Sequence, residues 1–180
     1  MDTQMNKNRF TVLKDGLTKD MPDKRICVCF TGHRSKSLKW GNNEQDSRCI
    51  ELKHKLLHEI KRLYTEGYRC FISGMAEGVD IYAAEAVLQL QGELSEIGLL
   101  CVFPHGIYNT SRLRSIAYAA DGVVSLNKEY VTGCMAERNR YLVNHSNHIV
   151  CVFSGDVKSG TYSTMCMAQK SGIGMTIINV

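Results

Sequence analysis

Three short segments of this chain combine glycine with hydroxyl, histidine or arginine side chains, which are residue types that can bind an anion. The first is the run 31–34, Thr-Gly-His-Arg. Its glycine lets the backbone approach a ligand closely, and an arginine can hold a phosphate through two parallel hydrogen bonds. We therefore interpret Gly32, His33 and Arg34 as candidate ligand-binding residues. A turn with surface charges is the alternative interpretation of so short a motif.

The second segment, 73–80, has the sequence Ser-Gly-Met-Ala-Glu-Gly-Val-Asp and precedes a predicted helix. The N–H groups in the first turn of a helix are unpaired and lie at the positive end of its dipole, so glycines there form a backbone cradle for an anion. The candidates are Ser73, Gly74, Glu77, Gly78 and Asp80. Asp80 could cap the helix or bind a ribose hydroxyl group. The spacing matches neither the dinucleotide fingerprint nor the P-loop.

A third segment, Ser159-Gly160-Thr161, stands at the start of the last predicted helix and has the same character. Its small residues again suit a phosphate at a helix N-terminus. Arg138 and Asn139 lie near the start of the preceding predicted helix. Cations favour the opposite end of a helix, so an arginine at this place suggests a functional role for Arg138. An exposed arginine on a solvated face is the alternative.

Short apolar runs alternate along the chain with segments of helical periodicity. Continuous apolar runs are typical of strands buried on both faces of a parallel sheet. Strands are predicted at 26–31, 69–73, 98–103, 122–126, 149–153 and 175–178, and helices at 48–66, 79–91, 110–120, 136–146 and 162–171. This alternation predicts an α/β fold with a doubly wound, mostly parallel, Rossmann-like sheet and helices on both faces. Ligands of such sheets bind beyond the carboxyl ends of the strands, where all three segments fall.

The length of 180 residues fits one domain with a core of its own. We expect the polar residues 1–24 to form a flexible or loosely docked leader, and residues 25–180 to form a single ligand-binding domain. Lysine and arginine outnumber aspartate and glutamate by 22 to 18, a net charge of +4. So small a surplus does not predict nucleic-acid binding, although it suits a local anion pocket. The longest apolar run is far shorter than the ~20 residues of a membrane span.

Eight cysteines in a short chain could indicate a disulfide framework. Several of them fall in the apolar strand-like runs, where cysteine behaves as a small hydrophobic residue. The chain has no CxxC pair and no apolar signal segment near its start. We therefore predict buried, reduced thiols in a cytoplasmic protein that holds no metal and no cofactor.

These segments, in this order, resemble the SLOG superfamily, the Rossmann-like fold shared by the DNA-processing protein DprA/Smf and the cytokinin-activating LOG enzymes. The resemblance covers about residues 25–180 and is closest to the YpsA-like branch. It rests on the three segments described above together with Ala120-Asp121, Tyr130 and the run 135–139. It implies a pocket for a nucleotide or nucleotide-derived ligand, with the phosphate near the third segment, and a homodimer or larger homo-oligomer.

LOG-type phosphoribohydrolases carry a PGGxGTxxE-like motif, whose glutamate works with an arginine to cleave an N-glycosidic bond. The resemblance assigns that arginine to Arg138, but the run 159–165 has no acidic residue where the glutamate would stand. A hydroxyl group cannot replace a carboxylate that stabilises an oxocarbenium-like centre or transfers its proton without a large loss of rate. The missing acidic residue favours ligand binding over hydrolysis of the ligand. Glu77 is the candidate for a substitute acid.

The leading hypothesis is a binding protein that captures a nucleotide-derived small molecule, such as an ADP-ribose-like signal or a nucleoside phosphate, as a sensor or sequestering protein. The alternative is a nucleosidase or phosphoribohydrolase with Arg138 and Glu77 in catalytic roles. A weaker alternative is DprA-like binding of single-stranded DNA, against which the small net charge argues. We expect Trp40, in the polar segment 36–46, to be exposed as part of a binding surface or lid.

Overall fold

Seven parallel strands form a single sheet in the computed structural model, which describes residues 10–12, 21–106 and 110–180. The strands are β1 (Phe10–Val12), β2 (Cys27–Thr31), β3 (Cys70–Ser73), β4 (Gly98–Phe103), β5 (Gly122–Ser125), β6 (His148–Phe153) and β7 (Gly174–Asn179). Their order across the sheet is β1-β5-β4-β3-β2-β6-β7.

Five α-helices in the described part of the chain cover the two faces of this sheet. They are α1 (Ser47–Thr65), α2 (Val79–Leu90), α3 (Ser111–Ala119), α4 (Cys134–Asn144) and α5 (Gly160–Lys170). One buried apolar cluster joins α1, α2 and α3 to one face, and a second joins α4 and α5 to the other. Because helices cover both faces, every residue of β2 and β3 is buried.

The predicted α/β fold and its six strands are confirmed, and the strand order shows where a ligand should bind. From β2 the chain adds β3, β4 and β5 in one direction, and then returns to add β6 and β7 on the other side of β2. The winding direction reverses between β2 and β6, so the switch point of the sheet, where ligands of open α/β sheets bind, lies beyond the carboxyl ends of these two strands.

Strand β1 was not predicted. It falls within the predicted leader 1–24 and pairs in parallel with β5, with Phe10 opposite Gly122 and Val12 opposite Val124. Three residues are too few to show a periodicity, so the sequence pattern gave no sign of this strand. The rest of the leader up to residue 20 lies outside the described residues, and its flexibility stays a prediction.

All eight cysteines are free thiols in the structure. The prediction that they are buried is confirmed for seven of them, and Cys166 is half-buried. Burial raises the pKa of Cys29, Cys101 and Cys151 to about 12. These thiols stay protonated at neutral pH and serve as small apolar core residues.

The expectation that Trp40 is exposed is wrong, because its side chain is only 7% exposed and packs in the cluster beneath α1 and α2. The polar segment 36–46 folds back through successive tight turns, in which the N–H groups of Gly41 and Asn43 donate to the carbonyls of Leu38 and Trp40 at 3.0 Å. These turns direct Trp40 inward while the polar neighbours face solvent. Tertiary packing of this kind is not visible in the local sequence.

Candidate functional site

A pocket of about 810 Å³ opens beyond the carboxyl ends of β2, β3 and β4. Its walls come from the segments that follow these strands and from the starts of α2, α3 and α4. The lining residues are Arg34, Ser35, Asn42, Glu44, Gly74, Met75, Ala76, Glu77, Gly78, Ile81, Pro104, His105, Thr110, Arg112, Leu113 and Met135. Among the residues predicted to bind a ligand, Arg34, Gly74, Glu77 and Gly78 are in this list.

The floor of the pocket is the loop between β3 and α2, and its shape depends on Gly78. This residue has φ +95°, and a Cβ atom there would lie 2.6 Å from the carbonyl oxygen of His33 and 2.7 Å from the amide nitrogen of Ser35. The N–H group of Val79 donates to the same carbonyl at 3.3 Å. Only glycine fits this conformation and this close approach, so the second predicted segment lies directly against the first.

The N-terminus of α2 faces the pocket with unpaired N–H groups. The N–H groups of Glu77, Gly78 and Asp80 find no acceptor within the described residues, and Glu77 and Gly78 line the pocket. Unpaired N–H groups and the positive end of the helix dipole together favour a bound anion. The start of α2 therefore has the free N–H groups that the predicted cradle requires, and anion binding there stays a prediction.

Arg34 adds a positive charge at the rim of this cradle. Its side chain is exposed and lines the pocket, and no hydrogen bond or ion pair joins it to the described part of the chain. Its charge also opposes the rise in the pKa of Asp80 that burial causes. A guanidinium without a partner beside free backbone N–H groups is an arrangement that can bind phosphate.

Arg138 and Asp80 lie beneath the loop rather than in the lining of the pocket. Both side chains are more than nine-tenths buried, and Arg138 Nη1 donates to Asp80 Oδ2 at 2.8 Å and to the carbonyl of Gly74. Ser73 also supports the loop, because its hydroxyl donates to the carbonyl of Asp80 at 2.8 Å. Burial raises the pKa of Asp80, and the Arg138 guanidinium opposes that rise. These residues hold the cradle in shape.

Gly32 and His33 position neighbouring elements. A Cβ atom on Gly32 would lie 2.5 Å from the side chain of Val79, so the glycine allows α2 to pack against the end of β2. His33 is buried, and its Nε2 accepts a hydrogen bond from the N–H of Ser154 at 3.1 Å while its ring stacks on Phe153. Burial lowers the pKa of His33, which fits a neutral ring that accepts this bond.

The third predicted segment lies at the end of β6, apart from the lining of the pocket. The hydroxyl of Ser159 accepts from the N–H of Tyr162 at 3.1 Å and so caps α5, while Thr161 is buried. Asn139 donates to the hydroxyl of Thr164 at 2.9 Å. The structure therefore brings Ser159, Gly160, Thr161 and Asn139 together as a second group.

Thr164 occupies the position at which the LOG-type motif has its glutamate, three residues after Thr161. It is fully buried, and its hydroxyl donates to the carbonyl of Gly160 at 2.9 Å. The carboxylate that Arg138 contacts is that of Asp80, in the first turn of α2, and it is buried below the pocket.

Sequence reasoning missed one wall of the pocket, which is formed by the start of α3. Arg112 donates to Glu44 at 2.5 Å and to Glu85 at 2.6 Å, and so connects the turns before α1 with α2 and α3. The hydrogen bond from Arg112, together with one from Lys53, holds the pKa of Glu44 down at about 2. Thr110 and Arg112 follow strand β4 at the same edge of the sheet, so the rule that identified the other segments could have found them. Glu44 has no such signal.

Two further observations concern the part of the chain that is described. No cluster of three histidine, cysteine, aspartate or glutamate side chains within residues 21–106 and 110–180 has a geometry that could hold a metal ion. None of the described helices is long and apolar enough to cross a membrane.

Comparison with known proteins shows the family to which this chain is related. A family model described as the YspA SLOG family matches residues 28–179. The chain is also similar to the uncharacterized SPbeta prophage-derived protein YoqJ of Bacillus subtilis (strain 168), with 31% identity over 146 residues, which is 69% of this chain and 84% of that protein. The range matched by the family model includes β3 to β7, all of β2 except Cys27, and the residues that line the pocket. The chain belongs to the YpsA-like branch of the SLOG superfamily.

Proposed function

We propose that this protein binds a nucleotide-derived small molecule, an ADP-ribose-like signal or a nucleoside phosphate, as a sensor or sequestering protein. The observation that carries the proposal is the meeting of two anion-binding features in one pocket. The unpaired N–H groups of Glu77 and Gly78 and the unpaired guanidinium of Arg34 all belong to it. A phosphate group would satisfy both features at once.

The rest of the pocket suits the less polar part of such a ligand. Ile81, Pro104, Leu113 and Met135 contribute apolar side chains to its lining. Its volume of about 810 Å³ lies within the range of pockets for small molecules and cofactors. A ligand with a base or sugar ring against these apolar side chains and a phosphate at the N-terminus of α2 would use both kinds of lining residue.

The contacts of Arg138 support binding rather than hydrolysis. Its Nη1 is already bonded to Asp80 and Gly74, and the α5 position that carries a glutamate in LOG enzymes is the buried Thr164. An oxocarbenium-like transition state needs a carboxylate close to the sugar carbon. Neither residue supplies one at the surface of the pocket.

Hydrolysis of the ligand is the second candidate function, and Glu77 is the residue that favours it. Its side chain is exposed and lines the pocket beside the free N–H groups of α2, where a sugar attached to a bound phosphate would lie. In that case Glu77→Gln would abolish release of free base. Arg138 would then act as a positioning residue, because it contacts the loop and not the pocket. The DprA-like binding of single-stranded DNA remains the weaker proposal.

The same proposal places the protein in the cytoplasm, where nucleotides are abundant, and assigns it no cofactor. The partner we propose is the small molecule itself, together with a further copy of the chain as homodimer or larger homo-oligomer. A membrane is not proposed as a partner, and nucleic acid enters only through the weaker DprA-like alternative.

The experiment is to incubate the purified protein with AMP, ADP, ADP-ribose and cyclic ADP-ribose, separate it from free ligand, and identify by mass spectrometry what remains bound. We expect one of these compounds to be retained intact with a rise in thermal midpoint. A free base in the flow-through, lost in Glu77→Gln, would establish the hydrolase instead. Retention of none, with no thermal shift and no free base released, would refute both functions.

A further inference from the structure

The sheet ends differently at its two edges. In the described part of the chain, β1 is an edge strand of three residues, whereas β7 has six residues and pairs only with β6. Edge strands are usually protected by shortness, by charged side chains, by proline or by a bulge. Strand β7 has the sequence Gly-Met-Thr-Ile-Ile-Asn, without a charge or a proline, and its register with β6 is continuous over all six residues.

The hydrogen bonds to β6 determine which main-chain groups of β7 are free. The N–H group of Gly174 donates to Asn147 at 2.9 Å, and that of Val180 donates to Phe153 at 3.2 Å. Because successive residues of a strand alternate in direction, the even-numbered residues point towards β6. Met175, Ile177 and Asn179 therefore direct their N–H and C=O groups away from the sheet.

Ile177 stands at the centre of these three residues and is 47% exposed, one of the few large apolar side chains with so much exposed surface. Met175 lies on the same face of the strand and packs against the cluster beneath α4 and α5. The free edge thus combines unpaired main-chain groups with an apolar side chain at its midpoint. Both features are typical of a surface that pairs with another strand.

We propose that β7 pairs in antiparallel orientation with β7 of a second copy of this chain, with the two-fold axis at Ile177. Ile177 then lies opposite Ile177 of the partner subunit, and Met175 lies opposite the partner's Asn179. Each of these pairs is a hydrogen-bonded pair, in which two residues exchange N–H and C=O groups about 5.5 Å apart. The sheets of the two copies join into one.

A second copy fits this edge better than another strand because the edge is complementary to itself. The free groups are arranged symmetrically about Ile177, and no charged side chain of β7 would meet its own copy. Beside Ile178 lies a groove whose rim includes Glu51 and Lys55, an ion pair of 2.7 Å, so this flank presents both signs of charge to the partner. Two-fold pairing also closes the assembly, whereas parallel addition would leave a new edge.

The test uses the fact that a residue on a two-fold axis meets itself. Ile177→Asp and Ile177→Lys each place like charges opposite one another, and we expect each to weaken dimerisation by at least about a hundredfold. An equimolar mixture of the two variants should dimerise again, as a heterodimer of one Asp and one Lys chain. Sedimentation velocity measures the association, and native mass spectrometry measures the composition.

The controls are Ile26→Asp and Ile26→Lys, which change an isoleucine of similar exposure at the opposite end of the strands. These variants should dimerise as the unaltered chain does. Recovery of the heterodimer also shows that the Ile177 variants are folded. A monomer at all concentrations for the unaltered chain, or a dimer that both Ile177 variants retain, would overturn the proposal.

Discussion

Arg138 and Asp80 form a buried ion pair, with 2.8 Å between Nη1 and Oδ2, that joins α4 to the first turn of α2 across the carboxyl edge of the sheet. The same guanidinium also binds the carbonyl of Gly74, at the start of the loop that forms the floor of the pocket. The pair therefore holds the anion cradle from below. It fixes the orientation of the N–H groups of the loop, to which the proposed function assigns a phosphate.

Removing the guanidinium of Arg138 should lower the free energy of unfolding, by an amount that depends on pH. Arg138→Met leaves the Asp80 carboxylate buried without its partner, and we expect the free energy of unfolding to fall by about 3–5 kcal/mol at neutral pH. Burial raises the pKa of Asp80, so folding favours its protonated form, and the stability of the variant is lost as pH rises through that raised value. The deficit should shrink as pH falls.

Urea unfolding at neutral and mildly acidic pH measures this change. Arg140→Met is the matched control, because Arg140 is an exposed arginine on the same helix. We expect the control to change the free energy of unfolding by less than about 0.5 kcal/mol. A deficit in Arg138→Met that is equal at both pH values would show that the guanidinium does not act through Asp80.

Gly78→Ala should disrupt the loop. The substitution forces a side chain into φ +95° and brings a Cβ atom to 2.6 Å from the carbonyl oxygen of His33, so the loop or the end of β2 must move. We expect a loss of at least about 2 kcal/mol of stability. Gly160→Ala, where a Cβ atom would have open space and φ is not positive, should be nearly neutral. Equal thermal midpoints for the two variants would contradict this account of the loop.

Glu44 should make the stability of the folded protein sensitive to acid. Its hydrogen bonds to Arg112 and Lys53 lower its pKa from 4.5 to about 2, so its contribution to stability is complete above pH 4.5 and is lost as pH falls towards 2. Glu44→Gln removes this contribution at neutral pH. The difference in unfolding free energy between the unaltered chain and the variant should therefore narrow across that interval, as measured by denaturant titration.

The control for Glu44 is Glu93→Gln, which breaks an exposed ion pair with Lys61. Exposed ion pairs contribute little to stability, so the free energy of unfolding of this variant should differ little from that of the unaltered chain at every pH. If Glu44→Gln and Glu93→Gln behave alike, the bridge between Arg112 and Glu44 does not stabilise the wall of the pocket.

The thiols should differ sharply in reactivity. Seven cysteines are buried and Cys166 is half-buried. Burial raises the pKa of Cys29, Cys101 and Cys151 to about 12, and a thiol reacts through its thiolate. A disulfide exchange reagent should therefore label Cys166 first in the native protein and the others only as the chain unfolds. Rapid labelling of several thiols in the native protein would show that the core is more open than the structure indicates. Rapid labelling of a thiol in the Cys166→Ser variant would show the same.

The main elements of the fold could be predicted because their signals are local. The buried strands are continuous apolar runs, and the starts of α2 and α5 carry glycine and serine. The edge rule for parallel sheets then placed the loops with Arg34 and Gly78 at one end of the sheet, which the structure bears out. What these loops bind stays a prediction.

The arrangement within the site could not be predicted, because it depends on contacts between distant residues. The pairing of Arg138 with Asp80 spans 58 positions, and that of Arg112 with Glu44 spans 68. The sequence pattern predicts that the segments at Gly78 and at Gly160 are two anion cradles of one site. The fold puts only the first of them in the lining of the pocket.

In the proposed function, Arg34 and the N-terminus of α2 bind the phosphate of a nucleotide-derived ligand. Isothermal titration with ADP-ribose of the unaltered chain, Arg34→Gln and Arg140→Gln measures what Arg34 contributes. We predict measurable binding to the unaltered chain, affinity reduced by about ten- to a hundredfold in Arg34→Gln, and no change in Arg140→Gln. Binding that Arg34→Gln leaves intact would contradict the role of Arg34, and binding of neither ADP-ribose nor AMP, ADP or cyclic ADP-ribose by the unaltered chain would contradict the proposed function.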